Sequence, residues 1–358
     1  MSEISSNSPL TPPISEYDLN SITLNAANDL EKINGARILI TGGTGYIGRW
    51  LLESICHANR CLNTKIAAVV LTRDPDAFAN KCPHLVKDRG ISFIKGDVRD
   101  RITADGCFSH VIHAATDVAA ANEPLDLFDV TVLGTRRVLN FAREHGVKDV
   151  LLLSSGAVYG RVSVSTDRIA ESCGVASDVT SVNAAYGLGK IATEWLGNAF
   201  GQKYGFSCKS ARVFAQIGPC LNLDIQFAAG NFIRDALLGQ PLLIKGDGTP
   251  LRSYMYATDL VVWLWAILVR GAGGRSYNVG SDYGISILEL ARAIRIQSKA
   301  GDSVVQVCGQ QMLQSAAPDR YVPDIQRARA ELSVDITVHL EDALQRTIDW
   351  YRPQFQRR

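Results

Sequence analysis

The sequence has little of several features that mark specialised classes of protein. Its 37 Lys and Arg residues balance 36 Asp and Glu residues, and the net charge of +1 gives no broad attraction to nucleic acid or to an anionic membrane. The eight cysteines form no CxxC pair and have no paired histidines near them. We therefore expect no metal site and no disulfide framework, but free thiols in a reducing cytoplasm.

A long hydrophobic run is also missing. The longest apolar stretch, "LVVWLWAILV" at residues 260–269, is shorter than the roughly 20 residues that a membrane-spanning helix needs, and it predicts a buried helix instead. The N-terminal "MSEISSNSPLTPPISEY" has no basic start followed by an apolar core, so we expect no secretory signal. These absences favour a cytoplasmic protein without a membrane partner.

What the sequence does contain is a regular alternation of apolar strands and helical segments. Five stretches are predicted to be buried strands: "ARILITGG", "KIAAVVLTRDP", "ISFIKGDVRD", "HVIHAAT" and "DVLLLSSG". Strands that are apolar on both faces are typical of parallel sheets covered by helices. The pattern therefore predicts an α/β fold with a Rossmann-like, doubly wound parallel sheet.

The composition divides the chain into three parts. Residues 1–34 are rich in Ser, Asn and Pro, and we interpret them as an N-terminal extension, flexible or draped over the domain. Residues 35–215 carry the strand–helix alternation and form the predicted dinucleotide-binding domain. Residues 216–350, with more Gly, Pro and aromatic residues, form a predicted smaller, mostly C-terminal α/β lobe, with some chain returning to the first domain.

The segment "TGGTGYIG" predicts a dinucleotide site. It places Gly42, Gly45 and Gly48 between a strand and a helix, where they allow a tight turn, close approach of a pyrophosphate and close helix packing. Tyr46 and Ile47 begin the helix, whose free N–H groups favour phosphate. The alternative is a tight turn without a ligand, but the strand and helix context favours the cofactor site.

The end of the second strand bears on the choice of cofactor. An acidic residue there holds the ribose 2′-hydroxyl of NAD, whereas an arginine accommodates the 2′-phosphate of NADP. In "LTRDP", Arg73 precedes Asp74, which slightly favours NADP over NAD. The alternative is that Arg73 is a solvated loop residue.

Two further segments are predicted to lie beside the cofactor. "GDVRD" offers Asp97 and Val98 on the adenine side. In "HAA", Ala114 and Ala115 are small residues where a strand passes the cofactor, and His113 is expected to be packed rather than catalytic.

A serine, a tyrosine and a lysine form the candidate catalytic group. In "AAYGLGKIATEWL", Tyr186 and Lys190 are four residues apart and share a helix face. A lysine cation beside a tyrosine lowers the phenol pKa from its usual value of about 10, which suits a base acting near neutral pH. Upstream, "LLLSSGAVYG" ends a strand with Ser154 and Ser155.

With these motifs, residues 35–350 resemble an extended short-chain dehydrogenase/reductase of the NAD-dependent epimerase/dehydratase type, which acts on nucleotide sugars. The resemblance implies that Ser155 binds the hydroxyl being oxidised and that Tyr186 moves its proton. It also implies that Lys190 holds the nicotinamide ribose, and that hydride passes between a sugar carbon and the nicotinamide.

The same resemblance implies two partners. One is a nucleotide-diphosphate sugar, bound by the second lobe through Arg252 and Arg320 at the diphosphate and through Asn231. A surface salt bridge is the alternative for either arginine, and a helix cap is the alternative for Asn231. The other partner is a second copy of the chain, which would form a homodimer through helices around residues 130–145 and 185–204.

The type of reaction depends on the two residues after Ser155. Dehydratases of this family carry an Asp-Glu pair there, because elimination needs one group to remove a carbon-bound proton and another to protonate the leaving hydroxyl. This chain has Gly156 and Ala157, which transfer no proton. Asp117 and Glu123 are the nearest other carboxylates by motif position.

Four functions remain open from the sequence. The first is an epimerase or keto-sugar oxidoreductase acting on a nucleotide-diphosphate sugar. The second is a nucleotide-sugar 4,6-dehydratase. The third is an NADPH-dependent reductase of a non-nucleotide carbonyl compound, against which Arg252 and Arg320 argue. The fourth, a dinucleotide-sensing protein without catalysis, conflicts with the presence of Ser155, Tyr186 and Lys190.

Overall fold

A seven-stranded parallel sheet forms the centre of the computed structural model. The structure describes residues 11–116, 123–162, 166–175, 177–225, 227–299, 304–309 and 319–356. The strands are β1 (Arg37–Thr41), β2 (Ala67–Thr72), β3 (Ile91–Lys95), β4 (His110–His113), β5 (Asp149–Ser155), β6 (Ser207–Val213), β7 (Gln216–Ile217), β8 (Leu242–Ile244), β9 (Leu251–Arg252), β10 (Met255–Tyr256), β11 (Arg275–Val279), β12 (Ile285–Ser286), β13 (Val305–Val307) and β14 (Arg320–Tyr321).

Helices surround this sheet and build the second lobe. They are α1 (Glu16–Lys32), α2 (Tyr46–Cys61), α3 (Pro75–Lys81), α4 (Pro83–Val86), α5 (Pro124–Glu144), α6 (Ala185–Tyr204), α7 (Ala228–Leu237), α8 (Ala257–Arg270), α9 (Ile287–Ser298), α10 (Gln326–Leu332) and α11 (Leu340–Phe355). Two 3₁₀ turns, Gly156–Tyr159 and Val182–Ala184, precede and follow the loop that leads into α6.

The order of the strands confirms the predicted doubly wound α/β fold. The sheet runs β11–β6–β5–β4–β1–β2–β3, and every neighbouring pair is parallel. The chain winds outward from β1 through β2 and β3, and then outward in the other direction from β4 through β5 and β6. In such sheets, ligands bind at the carboxyl ends of the strands where the winding direction reverses, here between β1 and β4.

Both faces of the sheet are covered because its strands are apolar on both sides. Ile38 and Ile40 of β1 belong to a core with residues of α2 and α8, whereas Leu39 belongs to a core with residues of α5. Successive side chains of a strand point to opposite faces, so this separation follows from the apolar run "ILI".

The N-terminal segment contributes a helix to the core. Leu19, Ile22 and Leu30 of α1 are buried, and α1 packs on α2 and α8. The Tyr256 hydroxyl donates to Asp18 at 2.9 Å. From its composition we expected only an extension over residues 1–34. The spacing of Leu19, Ile22, Ala26 and Leu30 is the helical signal that composition hid.

The apolar run at residues 260–269 is a buried helix, as predicted. It lies within α8, which packs on α1 and on the sheet, and its Trp263 and Trp265 are fully buried. Among the described residues, every helix is too short or too polar to cross a bilayer.

A second hydrophobic core lies in the C-terminal lobe. It is formed mainly by α7, α9 and α11 with β8 and β10. In this lobe β9 pairs with β14 in parallel and with β12 antiparallel. The short strand β14 brings Tyr321 to the end of β5, where its hydroxyl lies beside Gly156.

Candidate active site

Two glycines of the turn after β1, Gly42 and Gly48, have no room for a side chain. Gly42 has φ of 71°, and a Cβ there would lie 2.6 Å from the carbonyl of Ala114. A Cβ at Gly48 would lie 2.3 Å from the Gly42 oxygen, so the helix and the turn are in direct contact. Gly45 is the N-cap of α2 and supplies no side-chain cap, so N–H groups at this helix start have no capping side chain. This cradle fits a pyrophosphate.

The side chains of Tyr46 and Ile47 point into the protein from this turn. The Tyr46 hydroxyl is buried so close to Gly218 that a Cβ added there would lie 2.9 Å from it, and burial raises the Tyr46 pKa well above the usual value. Ile47 packs against the core beneath the sheet. The main-chain atoms of Tyr46 and Ile47, and not their side chains, therefore face the predicted cofactor cradle.

At the end of β2, Arg73 is followed by Asp74, whose carboxylate already forms a hydrogen bond. Asp74 is the N-cap of α3, and its carboxylate accepts from the Ala77 N–H at 2.9 Å. Arg73 is exposed and lies close enough to Asp97 to help lower the pKa of that carboxyl.

Asp97 and Val98 occupy the loop after β3. Arg99 holds the Asp97 carboxylate through two side-chain hydrogen bonds, each of 3.0 Å, and these bonds are the largest cause of its lowered pKa. Val98 is buried against α5, where a Cβ at Gly134 would lie 2.9 Å from it.

The strand end after β4 passes close to the glycine turn. Ala114 and Ala115 lie against Gly42, and the Ala115 N–H donates to Thr41 Oγ1 at 3.3 Å. His113 is buried between Thr41 and Thr135, with its ring nitrogens 2.7 Å and 3.2 Å from their hydroxyls. Burial lowers the pKa of His113 to about 3, so the ring is neutral and packed, as expected.

Ser155, Tyr186 and Lys190 meet at the carboxyl end of β5. Ser155 ends the strand and caps the following 3₁₀ turn, where its hydroxyl accepts from the Ala157 N–H at 3.2 Å. Tyr186 lies in the first turn of α6, and a hydrogen-bonding contact with Ser155 lowers its pKa. Burial acts in the opposite direction and is larger, so the pKa of Tyr186 is raised overall.

Lys190 differs from the sequence expectation. Its Nζ donates to the Leu153 carbonyl at 2.7 Å and to Thr116 Oγ1 at 2.9 Å, and it lies 5.7 Å from the centre of the Tyr186 ring. Burial lowers the Lys190 pKa to about 7. The expectation that Lys190 lowers the pKa of Tyr186 was wrong for this structure, because burial of the phenol dominates and the ammonium is held by other groups.

Beneath these residues lies a buried ionic network. Glu194, one helical turn after Lys190, accepts from Ser154 at 2.5 Å and forms a two-pronged ion pair with Arg212 at 2.8 and 2.9 Å. Arg212 also donates to the Tyr159 hydroxyl at 2.8 Å. Ser154 and Tyr159 therefore fix α6 and β6 below the site.

The positions after Ser155 face an aromatic side chain. A Cβ at Gly156 would lie 2.4 Å from the Tyr321 hydroxyl and 2.9 Å from Phe214. Sequence reasoning missed Tyr321, because it comes from β14, far along the chain. Glu123 is exposed and caps α5 by accepting from the Leu125 N–H at 3.4 Å, and Asp117 lies outside the described residues.

The two predicted diphosphate arginines are on neighbouring strands but on different faces. The register of β9 and β14 pairs Tyr321 with Arg252, whose guanidinium lies 5.9 Å from the Tyr321 ring centre and donates to Asp319 at 2.8 Å. Arg320 precedes Tyr321 in its strand and pairs with Asp167. Because consecutive strand residues face opposite sides, Arg252 shares the face of Tyr321, whereas Arg320 points to the other face.

Asn231 lies at a cavity of about 210 Å³ between α7 and the β8 region. The Asn231 side-chain NH₂ donates to the carbonyls of Leu223 and Ile225, at 3.0 and 2.8 Å. It thus fastens the loop before α7. The cavity is lined by Ala228, Asn231, Phe232, Leu243, Ile244, Lys245, Gly246, Gly248, Pro250 and Ile287.

Known proteins resemble the chain along most of its length. UDP-glucuronic acid decarboxylase 1 of Xenopus tropicalis is 26% identical over 323 residues, which cover 89% of this chain and 73% of the relative. The epimerase Mth375 of Methanothermobacter thermautotrophicus has a TM-score of 0.75 at 24% identity and covers 94% of this chain and 97% of its own. UDP-glucose 4-epimerase of Thermotoga maritima, solved with UDP-glucose, has a TM-score of 0.74 at 20% identity, covering 89% and 99%.

The two solved structures show the same fold as this chain. The family model described as "NAD dependent epimerase/dehydratase family" matches residues 38–280, from β1 to the end of β11. That match includes the glycine turn and the converging serine, tyrosine and lysine, and the chain is an enzyme that belongs to the NAD-dependent epimerase/dehydratase family.

Proposed function

We propose that the protein is an NAD(P)-dependent nucleotide-diphosphate-sugar epimerase or keto-sugar oxidoreductase. The observation that supports this most is the meeting of Ser155, Tyr186 and Lys190 at the end of β5, beside the glycine cradle, with Gly156 and Ala157 in the next two positions. This arrangement suits hydride and proton transfer at a sugar carbinol but lacks an acid–base pair next to Ser155.

In this proposal each side chain has one task. Ser155 holds the sugar hydroxyl, and the Tyr186 phenolate takes its proton as the carbinol becomes a ketone. A nicotinamide held in the glycine cradle would supply reversible hydride transfer at the same carbon. Lys190, whose Nζ lies beside Thr116 and the Leu153 carbonyl, would hold the nicotinamide ribose. Return of hydride to the other face of the ketone would give the epimer.

For the cofactor, we infer a preference for NADP over NAD. Support comes from the end of β2, where Arg73 is exposed while the Asp74 carboxylate is used as the cap of α3. A carboxylate that caps a helix is a poorer partner for a ribose 2′-hydroxyl, and a guanidinium suits a phosphate.

For the substrate, we assign the diphosphate to Arg252 and the base to the neighbouring cavity. Arg252 lies on the same face as Tyr321, and its partner Asp319 is largely exposed, so a phosphate can replace that carboxylate at small cost. Arg320 points to the other face of its strand and pairs with Asp167, so we assign the diphosphate to Arg252 alone. The cavity beside Asn231 has the volume for part of a nucleoside.

A decarboxylase is the second candidate function. The similarity to UDP-glucuronic acid decarboxylase 1 favours it. Oxidation of a uronic acid at C4 gives a ketone β to its carboxylate, and the carboxylate then leaves as carbon dioxide without an elimination of water. The 4,6-dehydratase is less well supported, because Gly156 and Ala157 follow Ser155 and supply no acid–base pair for the elimination of water.

The test is product analysis with a panel of UDP- and dTDP-hexoses and UDP-glucuronate, each with NAD or NADP. The proposal expects an epimer or a keto-sugar from a hexose. Carbon dioxide released from UDP-glucuronate would replace it with the decarboxylase, and a 4-keto-6-deoxy product would replace it with the dehydratase. The absence of any product from the whole panel would reject nucleotide sugars as substrates.

We also infer a homodimer formed through α5 and α6. Leu125 and Leu133 of α5 and Trp195 of α6 are 74%, 45% and 67% exposed, which leaves an apolar surface on this helix pair. Light scattering tests the inference: Trp195→Glu should convert a dimer into a monomer, and a wild-type monomer would reject it.

A further inference from the structure

The chain just before α1 bridges the domain of the large sheet, which we call the sheet domain, and the second lobe. The Pro12 carbonyl accepts from the Arg49 guanidinium of α2 at 2.8 Å. The Pro13 carbonyl accepts from the Trp350 indole N–H of α11 at 3.1 Å. Helix α2 lies in the core of the sheet domain, whereas α11 lies in the core of the second lobe. A proline has a fixed φ and no N–H, so this stiff segment offers only its carbonyls, and each is bound from a different side.

Asp18, in the first turn of α1, makes a second link to the same lobe. Its carboxylate is buried, and it accepts from the Tyr256 hydroxyl of β10 at 2.9 Å and from Arg346 of α11 at 3.2 Å. The hydroxyl of Ser15, the N-cap of α1, also donates to it at 2.9 Å. A buried carboxylate is stable only with such partners, so Asp18 fastens α1 to two elements of the second lobe.

Aromatic rings enclose the Arg346 guanidinium as well. It lies 4.8 Å from the centre of the Tyr17 ring of α1 and 5.5 Å from the centre of the Tyr256 ring. The face of an aromatic ring attracts a guanidinium, which adds to the attraction of the Asp18 carboxylate. The residues that join α1 and the segment before it to the second lobe form what we call the interlobe clasp: Pro13, Tyr17, Asp18, Tyr256, Arg346 and Trp350.

The rest of α1 is anchored on the sheet domain. Leu19, Ile22 and Leu30 belong to the core that also contains α2 and α8. Near the end of the helix, Asp29 forms a two-pronged ion pair with Arg270 of α8, at 2.8 and 3.0 Å. Helix α8 packs on β5 and β6. Helix α1 is therefore a fixed part of the sheet domain, and its first turn reaches the second lobe.

The clasp holds the segment that carries Arg252. Tyr256 is four residues after Arg252 in the chain, and the three residues between them, Ser253, Tyr254 and Met255, are buried. Because a close-packed interior leaves such a short segment little room to rearrange, a displacement of Tyr256 displaces Arg252 as well.

We propose that Asp18 is a positioning residue, which holds the second lobe against the sheet domain so that Arg252 is in place for the diphosphate before the nucleotide sugar binds. This role rests on the proposed assignment of the diphosphate to Arg252. Such preorganisation raises affinity, because the lobe does not have to be ordered when the ligand binds. It gives the N-terminal helix a task in substrate binding.

Hydrogen exchange of the full-length protein tests the clasp without a substrate. Asp18→Asn keeps the size of the side chain and removes the charge that faces Arg346. The matched control is Asp29→Asn on the same helix. The two aspartates are 4% and 3% exposed and their arginines 27% and 30%, but Arg346 belongs to the second lobe and Arg270 to the sheet domain.

Asp18→Asn should speed the exchange of amides in α11 and in residues 251–256 about tenfold and leave β1 and α2 unchanged. Asp29→Asn should leave α11 at the wild-type rate. Trp350→Phe removes only the N–H that binds the Pro13 carbonyl, and this milder variant should speed exchange in the same two segments. Wild-type exchange of α11 in Asp18→Asn, or an equal increase in Asp18→Asn and Asp29→Asn, overturns the proposal. If Asp18→Asn does not fold, wild-type exchange of α11 in Trp350→Phe overturns it.

Binding of UDP and dTDP, measured by calorimetry, is the second readout. Asp18→Asn should raise the Kd of these probes about tenfold and leave the dinucleotide Kd within about twofold, because the glycine cradle lies in the sheet domain. Asp29→Asn should bind UDP and dTDP as the wild type does. Unchanged binding of both probes by Asp18→Asn overturns the positioning role.

Failure of the proposed function gives different results. Arg252→Ala that binds UDP and dTDP as tightly as the wild type would reject the assignment of the diphosphate to Arg252. A wild type that binds neither probe would reject the proposed class of substrate. In both cases hydrogen exchange of Asp18→Asn still decides whether the clasp holds the second lobe.

Discussion

Gly156 and Tyr321 fit one another at the centre of the candidate site. The phenol oxygen of Tyr321 lies 2.4 Å from where a methyl group on Gly156 would be. The two residues come from different lobes, one at the end of β5 and the other on β14. The fit joins the lobes at the place where the sugar is proposed to react.

The first prediction concerns this fit. Gly156→Ala places a methyl against Tyr321 and Phe214, and such overpacking should lower the free energy of unfolding by about 1–3 kcal/mol. Gly174→Ala is the matched control, because nothing lies within 4 Å of its added Cβ. Urea unfolding of both variants measures the difference. Equal stability of the two variants would show that the contact is not tight.

The second prediction concerns the ion pair below the site. Glu194→Ala leaves the buried Arg212 without its carboxylate, so the free energy of unfolding should fall by about 3–5 kcal/mol. Glu144→Ala removes the carboxylate from the exposed pair with Arg101 and should cost less than about 1 kcal/mol. Urea unfolding checks both values. Similar losses in the two variants would contradict a buried network beneath Ser154.

The third prediction comes from the lowered pKa of Lys190. Its pKa is about 7 in the folded protein and 10.5 ordinarily, so between these values the unfolded chain binds more protons. Relative to Lys190→Met, the wild type without cofactor should gain stability as the pH rises from 7 to 10.5, by at most about 1.4 kcal/mol per pH unit. Urea midpoints of both proteins across this range measure it. Parallel pH curves would show that Lys190 is protonated in the folded state.

The fourth prediction concerns the cofactor. Arg73→Ala should raise the Kd for NADP about tenfold or more and leave the Kd for NAD within about twofold, because only NADP carries the 2′-phosphate. Fluorescence titration measures both constants, and Arg89→Ala serves as an arginine control outside the predicted site. Equal effects on NAD and NADP would remove the preference for NADP.

Much of the fold was predictable because its signals are local. The apolar strands and the glycine turn are each contained in a few consecutive residues, and parallel winding follows from their alternation with helices. Helix α1 was missed because Ser, Asn and Pro dominate the composition around it. Its four buried apolar positions lie among polar residues.

The candidate site was predictable only where a motif is contiguous or resembles a family. Tyr186 and Lys190 are one helical turn apart, and Ser155 ends a strand. By contrast, Tyr321 belongs to a two-residue strand whose position depends on pairing between distant segments. Lys190 donates to Thr116 and to the Leu153 carbonyl, and these contacts likewise depend on how α6 packs on the sheet.

The rate of hydride transfer in Tyr186→Phe decides whether Tyr186 is the base. It is measured by rapid mixing, as the reduction of bound nicotinamide by the nucleotide sugar that the panel identifies. We expect a loss of about 10²–10⁴ in rate with the dinucleotide Kd unchanged within about twofold. Reduction at the wild-type rate would contradict the assignment of Tyr186 as the base.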